Sequence, residues 1–396
     1  MPGVRRTGIW SFSLYSANNA RPTLRVPYEG AIDCDVHPAM PSTAALLPYL
    51  DAFWRDQFVN RHIDRLPFTL SSYSPGSPLS ARADWQSASG VPGHENLDSI
   101  RRHVLDTFRI RYAICNPLHG AVALFNEDMA AALCSAVNDW MAKELLDREP
   151  RLRASILVPA QNSELAAKEI ERLAPDRRFV QVLLLAMGET PLGRRTHWPI
   201  YAAAEKHELV IGIHAGSTYR VAPTISGWPS YRVEDYVAQS GAFETQLLSL
   251  IAEGVFQKFP KLKVVMIESG FTWLPTWAWR AGKTWRGVRP EVPWIDRPPA
   301  DIVREHVRFT LQPVDTPKGQ PEVLARTLEH MDSDRLLLFS TDYPHWQFDG
   351  EDALPDGLPE ATIRKILIDN PLETYARLRD APAAAAQQEE GEKENP

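Results

Sequence analysis

The chain has 396 residues, 44% of them hydrophobic and 23% charged, which suits one large globular domain or two ordinary ones. Its formal charge of −7 offers no basic field, so nucleic acid and anionic membrane are excluded as expected partners. Three cysteines without a CxxC pair, no apolar run near the ~20 residues of a membrane span, and a short segment (GIWSFSLYSA) weaker than a secretory core after Arg5 and Arg6 make a reducing cytoplasm the expected compartment.

Residues 1–30 lack a clear period and read as an N-terminal arm. Eight short apolar runs follow, each with the pattern of a buried strand: AIDCDV (31–36), RYAICNP (111–117), LRASILVP (152–159), FVQVLLLA (179–186), LVIGIHAG (209–216), KVVMIES (263–269), VRFTLQP (307–313) and LLLFSTDY (336–343). Helical patterns alternate with them. The spacing predicts helices over 126–146 with Asn126 as cap, 163–174 opening at Ser163, 198–207 with proline in its first turn, 244–259, the Trp-rich stretch after Phe271, and 359–378. Eight strands alternating with helices predict one (β/α)8 barrel over 31–378. The absence of GxGxxG after the first strand argues against a dinucleotide-binding sheet.

Two connections are long. Residues 38–110 contain a Pro-, Ser- and Trp-rich stretch (Trp54, Pro75, Pro78, Trp85) and are expected to form an ordered lid or a subunit contact. Ser217 to Phe243 is a second long loop on the same face. The tail, 379–396, is rich in Ala, Gln and Glu and is expected to be disordered.

Metal-competent side chains recur where these strands end. Strand one gives Asp35 and His37, two residues apart and therefore facing the same way. Strand five gives His214, strand six Glu268, and strand eight Asp342 followed by His345. Each has an ordinary reading by itself: Asp35 or Glu268 as a cap, His214 as a core histidine, Asp342 as a turn residue. Their recurrence at one end of four strands is harder to explain as packing, because unpaired charges there are costly. The barrel would bring them to one mouth as a metal site.

Here the chain resembles the amidohydrolase superfamily, in the amidohydrolase-related branch that holds aminocarboxymuconate-semialdehyde decarboxylase and aromatic acid decarboxylases. The strand-one motif, the strand-five histidine, Thr-Asp-Tyr-Pro after strand eight and EGVFQKFPKLKVVMIESG carry the resemblance, which spans about 31 to 378. It implies that Asp35, His37 and His214 are metal ligands and that Asp342 binds metal or moves protons, and Glu268 at the same mouth is a further expected ligand. Two departures stand out: Asp35 replaces the first histidine of His-x-His, and Glu268 replaces the strand-six histidine. Both substitute a carboxylate for an imidazole and favour harder ions such as Mn or Fe more than an all-histidine site would, so that the expected metal is Zn, Mn or Fe.

The expected activity is that of a metal-dependent hydrolase or decarboxylase-like lyase. It would act on a small organic acid or amide through metal-activated water, with Asp342, Glu268 and His345 as catalytic groups. Carboxylate-rich members of the branch that are dinuclear, dioxygen-using hydroxylases, for instance of 2-aminoisobutyrate, imply an alternative in which the chain is a catalytic or supporting subunit. A silent partner that keeps the barrel for assembly is a third reading. The resemblance leaves the expected partners as a small-molecule substrate and a second copy or a paralogous subunit.

One divalent ion would leave the three carboxylates at −1 and two would leave +1, which tilts the expectation slightly toward a site for two, bridged by Glu268 or Asp342. Lesser candidates are Gln312 for substrate, Trp273, Trp277, Trp279 and Trp285 for packing, Arg280 and Arg286 on a solvated helix face, and Asn116, His119 and Arg82 in loops.

Overall fold

A computed structural model describes residues 28–63, 97–345 and 353–379. Most of the N-terminal arm, the middle of the 38–110 insertion with Pro75, Pro78, Arg82 and Trp85, and nearly all of the tail lie outside these residues.

Eight parallel strands form a (β/α)8 barrel in sequence order: β1 Ile32–Val36, β2 Tyr112–Cys115, β3 Leu152–Leu157, β4 Phe179–Met187, β5 Val210–Ser217, β6 Val264–Ile267, β7 Val307–Thr310 and β8 Leu337–Leu338. Almost every strand residue is buried, as expected of strands covered on both faces. Alternate side chains divide the core into two layers. Ile32, Cys34, Ile114, Leu183, Val265 and Ile267 pack inside the barrel, while Ala113, Ile156, Val182, Ile213, Met266 and Phe309 pack outward against the helices.

The seam between β8 and β1 is closed by backbone bonds. Cys34 N donates to Phe339 O at 2.9 Å, Asp342 N to Asp35 O at 3.1 Å and His37 N to Tyr343 O at 2.8 Å. Asp33 clamps the same seam, accepting from Thr341 N at 3.0 Å and from Thr341 Oγ1 at 2.6 Å. Burial outweighs these donors and pushes the Asp33 carboxyl up to about 7.

The helices follow the expected pattern with two corrections. Helix Ser163–Leu173 is capped one residue earlier than expected: Asn162 Oδ1 accepts from Glu164 N and Leu165 N, so Asn162 and not Ser163 is the cap. The helix expected over 244–259 begins twelve residues sooner, running Arg232–Ala252, with a separate short helix at Val255–Lys258. Glu234 starts it by accepting from Ser230 N and Tyr231 N. The apolar period missed this start because Val233 and Val237 in its first turns face outward. Within the described part of the 38–110 insertion, Ala52–Asn60 is helical and Asp51 caps it. No described helix is long and apolar enough to cross a membrane.

Candidate metal centre

The six residues singled out at the strand ends converge on one buried mouth. A register shift between Asp33 and Val36 in β1 accompanies the placing of Asp35 and His37 there together. His37 Nε2 stands 3.0 Å from Asp35 Oδ1, 3.3 Å from Asp342 Oδ1 and 3.5 Å from Glu268 Oε1. His214 Nε2 lies 3.8 Å from both Asp35 Oδ1 and Glu268 Oε1. His345 Nδ1 lies 2.7 Å from Glu268 Oε1 and 2.5 Å from Asp342 Oδ1. These pairs span 2.5–3.8 Å, on either side of the roughly 3.0–3.4 Å that separates ligands held about 2.1 Å from a common ion.

Ring orientation is set by the backbone. His37 Nδ1 donates to Asn116 O at 3.2 Å and His214 Nδ1 to Ala215 O at 2.6 Å. A carbonyl can only accept, so both Nδ1 atoms carry hydrogen and Nε2 is the coordinating atom of each ring. Glu268 and Asp342 hold left-handed backbones, with φ of +54° and +57°. That conformation costs a non-glycine residue about 1–2 kcal/mol, and here it aims both carboxylates at the mouth. Thr310 Oγ1 accepts from Glu268 N at 3.0 Å and steadies this turn.

The electrostatics separate the two acids. Burial raises the Asp342 carboxyl, the Glu268 charge adds to the rise, and histidines only partly offset it, so Asp342 is pushed up to about 7. Burial also disfavours charge on Glu268, but His214, His345 and His37 outweigh it and hold its carboxyl well below the usual range. Burial opposes charge on His37 and His345, yet the surrounding carboxylates prevail. His37 rises well above the ordinary histidine range, and His345 rises to about 9. His214, dominated by burial, is lowered.

These residues fit a divalent cation. Asp35 Oδ2 and both carboxylate oxygens of Asp342 are buried and receive no well-formed hydrogen bond, an expensive arrangement that a cation relieves. Two overlapping donor sets exist among the described residues: Asp35, His37, His214 and Glu268, and His37, Glu268, Asp342 and His345, each with its donor atoms within 4.8 Å of one another.

The lesser candidates fall outside this group. Gln312 Nε2 donates to Ala353 O at 3.2 Å, bracing the β7 loop. Trp273 and Trp277 are buried packing residues bonded to Ser269 O and Glu244 O, while Trp279, Arg280 and Arg286 are exposed. His119 is buried, which lowers its ring to about 4, and it lines a cavity of about 320 Å³ between the loops after β2, β3, β4 and β5. Leu118, Leu157, Leu183, Leu185 and Arg220 also line this cavity. None of the six cluster residues lines it, but Leu185 in its wall pairs in register with His214, and Pro117 follows Asn116. Composition and period gave no sign of Ser155, Gln181 or Tyr375, which complete a polar chain behind Asp35. A lone polar residue within an apolar strand was the one available signal.

The amidohydrolase family model matches residues 32–377. Gamma-resorcylate decarboxylase of Polaromonas sp. (strain JS666 / ATCC BAA-500) is 24% identical over 236 residues, covering 57% of this chain and 70% of that protein. Among solved structures, an amidohydrolase from Mycobacterium avium subsp. paratuberculosis K-10 superposes with a TM-score of 0.65 at 21% identity, over 88% of this chain and 99% of its own. A dihydroxybenzoic acid decarboxylase from Polaromonas sp. JS666, with bound manganese and the inhibitor 2-nitroresorcinol, superposes with a TM-score of 0.63 at 21% identity, over 90% and 99%.

Proposed function

This chain belongs to the amidohydrolase family, and on that footing we propose that it is a metal-dependent lyase that decarboxylates a small organic acid. The observation that carries the reading is the convergence of Asp35, His37, His214, Glu268 and Asp342 on one buried mouth, in a chain whose relatives include decarboxylases. Asp35, His37, His214 and Asp342 would hold the ion. The oxygen-rich set, together with the manganese of the similar decarboxylase, favours Mn over Zn. When bound, a divalent ion supplies a Lewis acid that draws electron density from a substrate oxygen.

The chain's own residues supply the rest. The cavity beside the cluster seats the body of the acid against leucines, and its volume of about 320 Å³ lies at the small end of ligand pockets. As the bond to the carboxyl carbon breaks and CO2 leaves, the electron pair stays on the substrate carbon and takes a proton. Asp342, a carboxyl at the same mouth in contact with His345, is the group placed to deliver it. Glu268 remains ionised and holds His345 as its positive partner.

His37 belongs to both donor sets but has one free lone pair, so it serves one ion. This favours a single ion per chain. A second reading draws on the set completed by His345: two ions bridged by Glu268, in a dinuclear, dioxygen-using hydroxylase subunit. Manganese-loaded and iron-loaded protein, assayed against a panel of hydroxybenzoates and aliphatic acids for CO2 release and for dioxygen uptake, separates the two. CO2 release without dioxygen is expected; turnover that requires dioxygen would replace the first reading with the second, and amide hydrolysis alone would replace both.

We also propose that the chain assembles with a second copy. The support is that Ile225, Trp228, Tyr231, Val233 and Val237, all on the segment after β5, are exposed among the described residues.

A further inference from the structure

Behind the strand-one pair runs a chain of hydrogen bonds through the barrel interior, made of groups that the proposed chemistry does not use. Tyr375 Oη donates to Gln181 Oε1 at 2.9 Å. Gln181 Nε2 donates to Asn116 Oδ1 at 3.1 Å and to Ser155 Oγ at 2.8 Å, and Ser155 Oγ donates to Asn116 Oδ1 at 2.6 Å. Asn116 Nδ2 then donates to Asp35 Oδ1 at 2.8 Å. All four side chains are fully buried.

Every donor in the chain points the same way, toward Asp35. The carbonyl of Cys34, 3.4 Å from Asn116 Nδ2, can only accept, so the end of Asn116 that faces it and Asp35 is the NH2. Asn116 Oδ1 then accepts from Gln181 Nε2, which turns Gln181 Oε1 toward the Tyr375 hydroxyl and makes that hydroxyl the donor. Aligned bonds polarise one another, so the last donor is stronger than an isolated amide. It occupies Oδ1 of Asp35 and leaves Oδ2 bare. The backbone of Asn116 acts on the second member of the pair, since its carbonyl takes the Nδ1 hydrogen of His37.

The fold makes room for this chain at a cost. A polar string in a barrel core replaces apolar packing, and every member must be satisfied to avoid the penalty of a buried orphan. Gly212 on β5 leaves the space: a Cβ there would stand 2.5 Å from Cδ and Nε2 of Gln181.

We infer that the Tyr375–Gln181–Asn116 chain is a positioning device that presets Asp35 and His37 for a divalent ion, so that ion affinity is tuned from Tyr375, near the chain's C-terminus and beside the start of β4. This rests on the metal-centre reading above. Outer partners of metal ligands typically contribute about 10–100-fold in affinity.

The test is the Mn2+ dissociation constant of metal-depleted protein, measured at 25 °C by competition with a chelating dye, for the parent chain and for Asn116→Ala, Gln181→Met and Tyr375→Phe. Affinity should fall about 10–100-fold for Asn116→Ala and Gln181→Met and about 3–10-fold for Tyr375→Phe. A merely structural role would lower the melting temperature and leave the dissociation constant of the folded protein in place. Constants within twofold of the parent for Gln181→Met and Tyr375→Phe would overturn the inference, even if Asn116→Ala fails to fold. A parent chain that takes up no divalent ion would instead overturn the metal-centre reading itself.

Discussion

His37 follows β1 and His214 lies on β5, four strands apart around the barrel, yet their Nε2 atoms lie 3.4 Å apart. Both rings spend their Nδ1 hydrogen on a backbone carbonyl, so two lone pairs would face each other across that gap. Something positive must lie between them. Either an ion or a proton meets that need, and the carboxylates around His37, which raise its ring, favour a proton there when no ion is bound.

Ion and proton therefore compete. Metal uptake must displace the proton of His37 and any proton shared by Asp342, near 7, and His345, near 9. Protonated groups reject the ion, so Mn2+ affinity should rise between pH 6 and pH 9, with at least one proton released per ion. Calorimetry in two buffers of different ionisation enthalpy reads both quantities. An affinity flat across that range would contradict the competition.

Asp342→Asn keeps the shape of the side chain and removes its proton. Turnover should fall about 10²–10⁴-fold, the usual contribution of a positioned acid or base, while the variant still binds Mn2+. Full activity in Asp342→Asn would assign the proton to another group.

Glu268→Gln separates one ion from two. With a single ion, elemental analysis should give one metal per chain in parent and variant alike. Activity should drop at least about 10-fold, because His345 loses the charge that holds it. A fall from two ions to one on substitution would establish Glu268 as a bridge.

Much of this was legible in the sequence for a simple physical reason. A barrel strand buried on both faces has to be a short apolar run, so eight such runs and their polar ends stand out. Asp35, His37, His214, Glu268, Asp342 and His345 were visible because each is a charge or imidazole where packing alone calls for none. Asn116 stood out only as a loop candidate and Ser155 and Gln181 were obscured, since their meaning lies in a shared bond among β3, β4 and the loop after β2 that no spacing within one strand reveals. The start of helix Arg232–Ala252 was hidden differently: its first apolar residues face outward, so the period that marks a packed helix begins later.

Glu149 offers a stability prediction away from the site. Burial disfavours its charge, but Arg151 at 2.8 Å and Arg101 at 2.8 Å outweigh that and hold its carboxyl down to about 2. The folded state then binds fewer protons than the unfolded one between about pH 4.5 and pH 2. The stabilisation is complete above 4.5 and lost as pH falls toward 2. Glu149→Gln should lower stability by on the order of 2–3 kcal/mol at pH 7, and the gap to the parent should narrow in acid. Denaturant melts at pH 7 and pH 4 check this; a gap that widens at pH 4 would contradict it.

The apolar segment after β5 predicts self-association. Trp228→Ser and Ile225→Ser together should shift the chain toward the monomer in sedimentation velocity, without loss of helical signal. An unchanged sedimentation coefficient would place any contact elsewhere.

The seam between β8 and β1 has a consequence for synthesis. Asp33 and Asp35 leave the ribosome hundreds of residues before Thr341, Asp342 and His345, yet they meet at the same mouth. The metal pocket is thus incomplete until nearly the whole barrel has emerged, and a chain broken off before β8 lacks two of the six donors. An ion taken up at the end would fasten the first strand to the last across a loop of about 300 residues, the length of closure at which a clip in theory stabilises most. Metal binding would then favour the finished, folded chain over one that ends before β8.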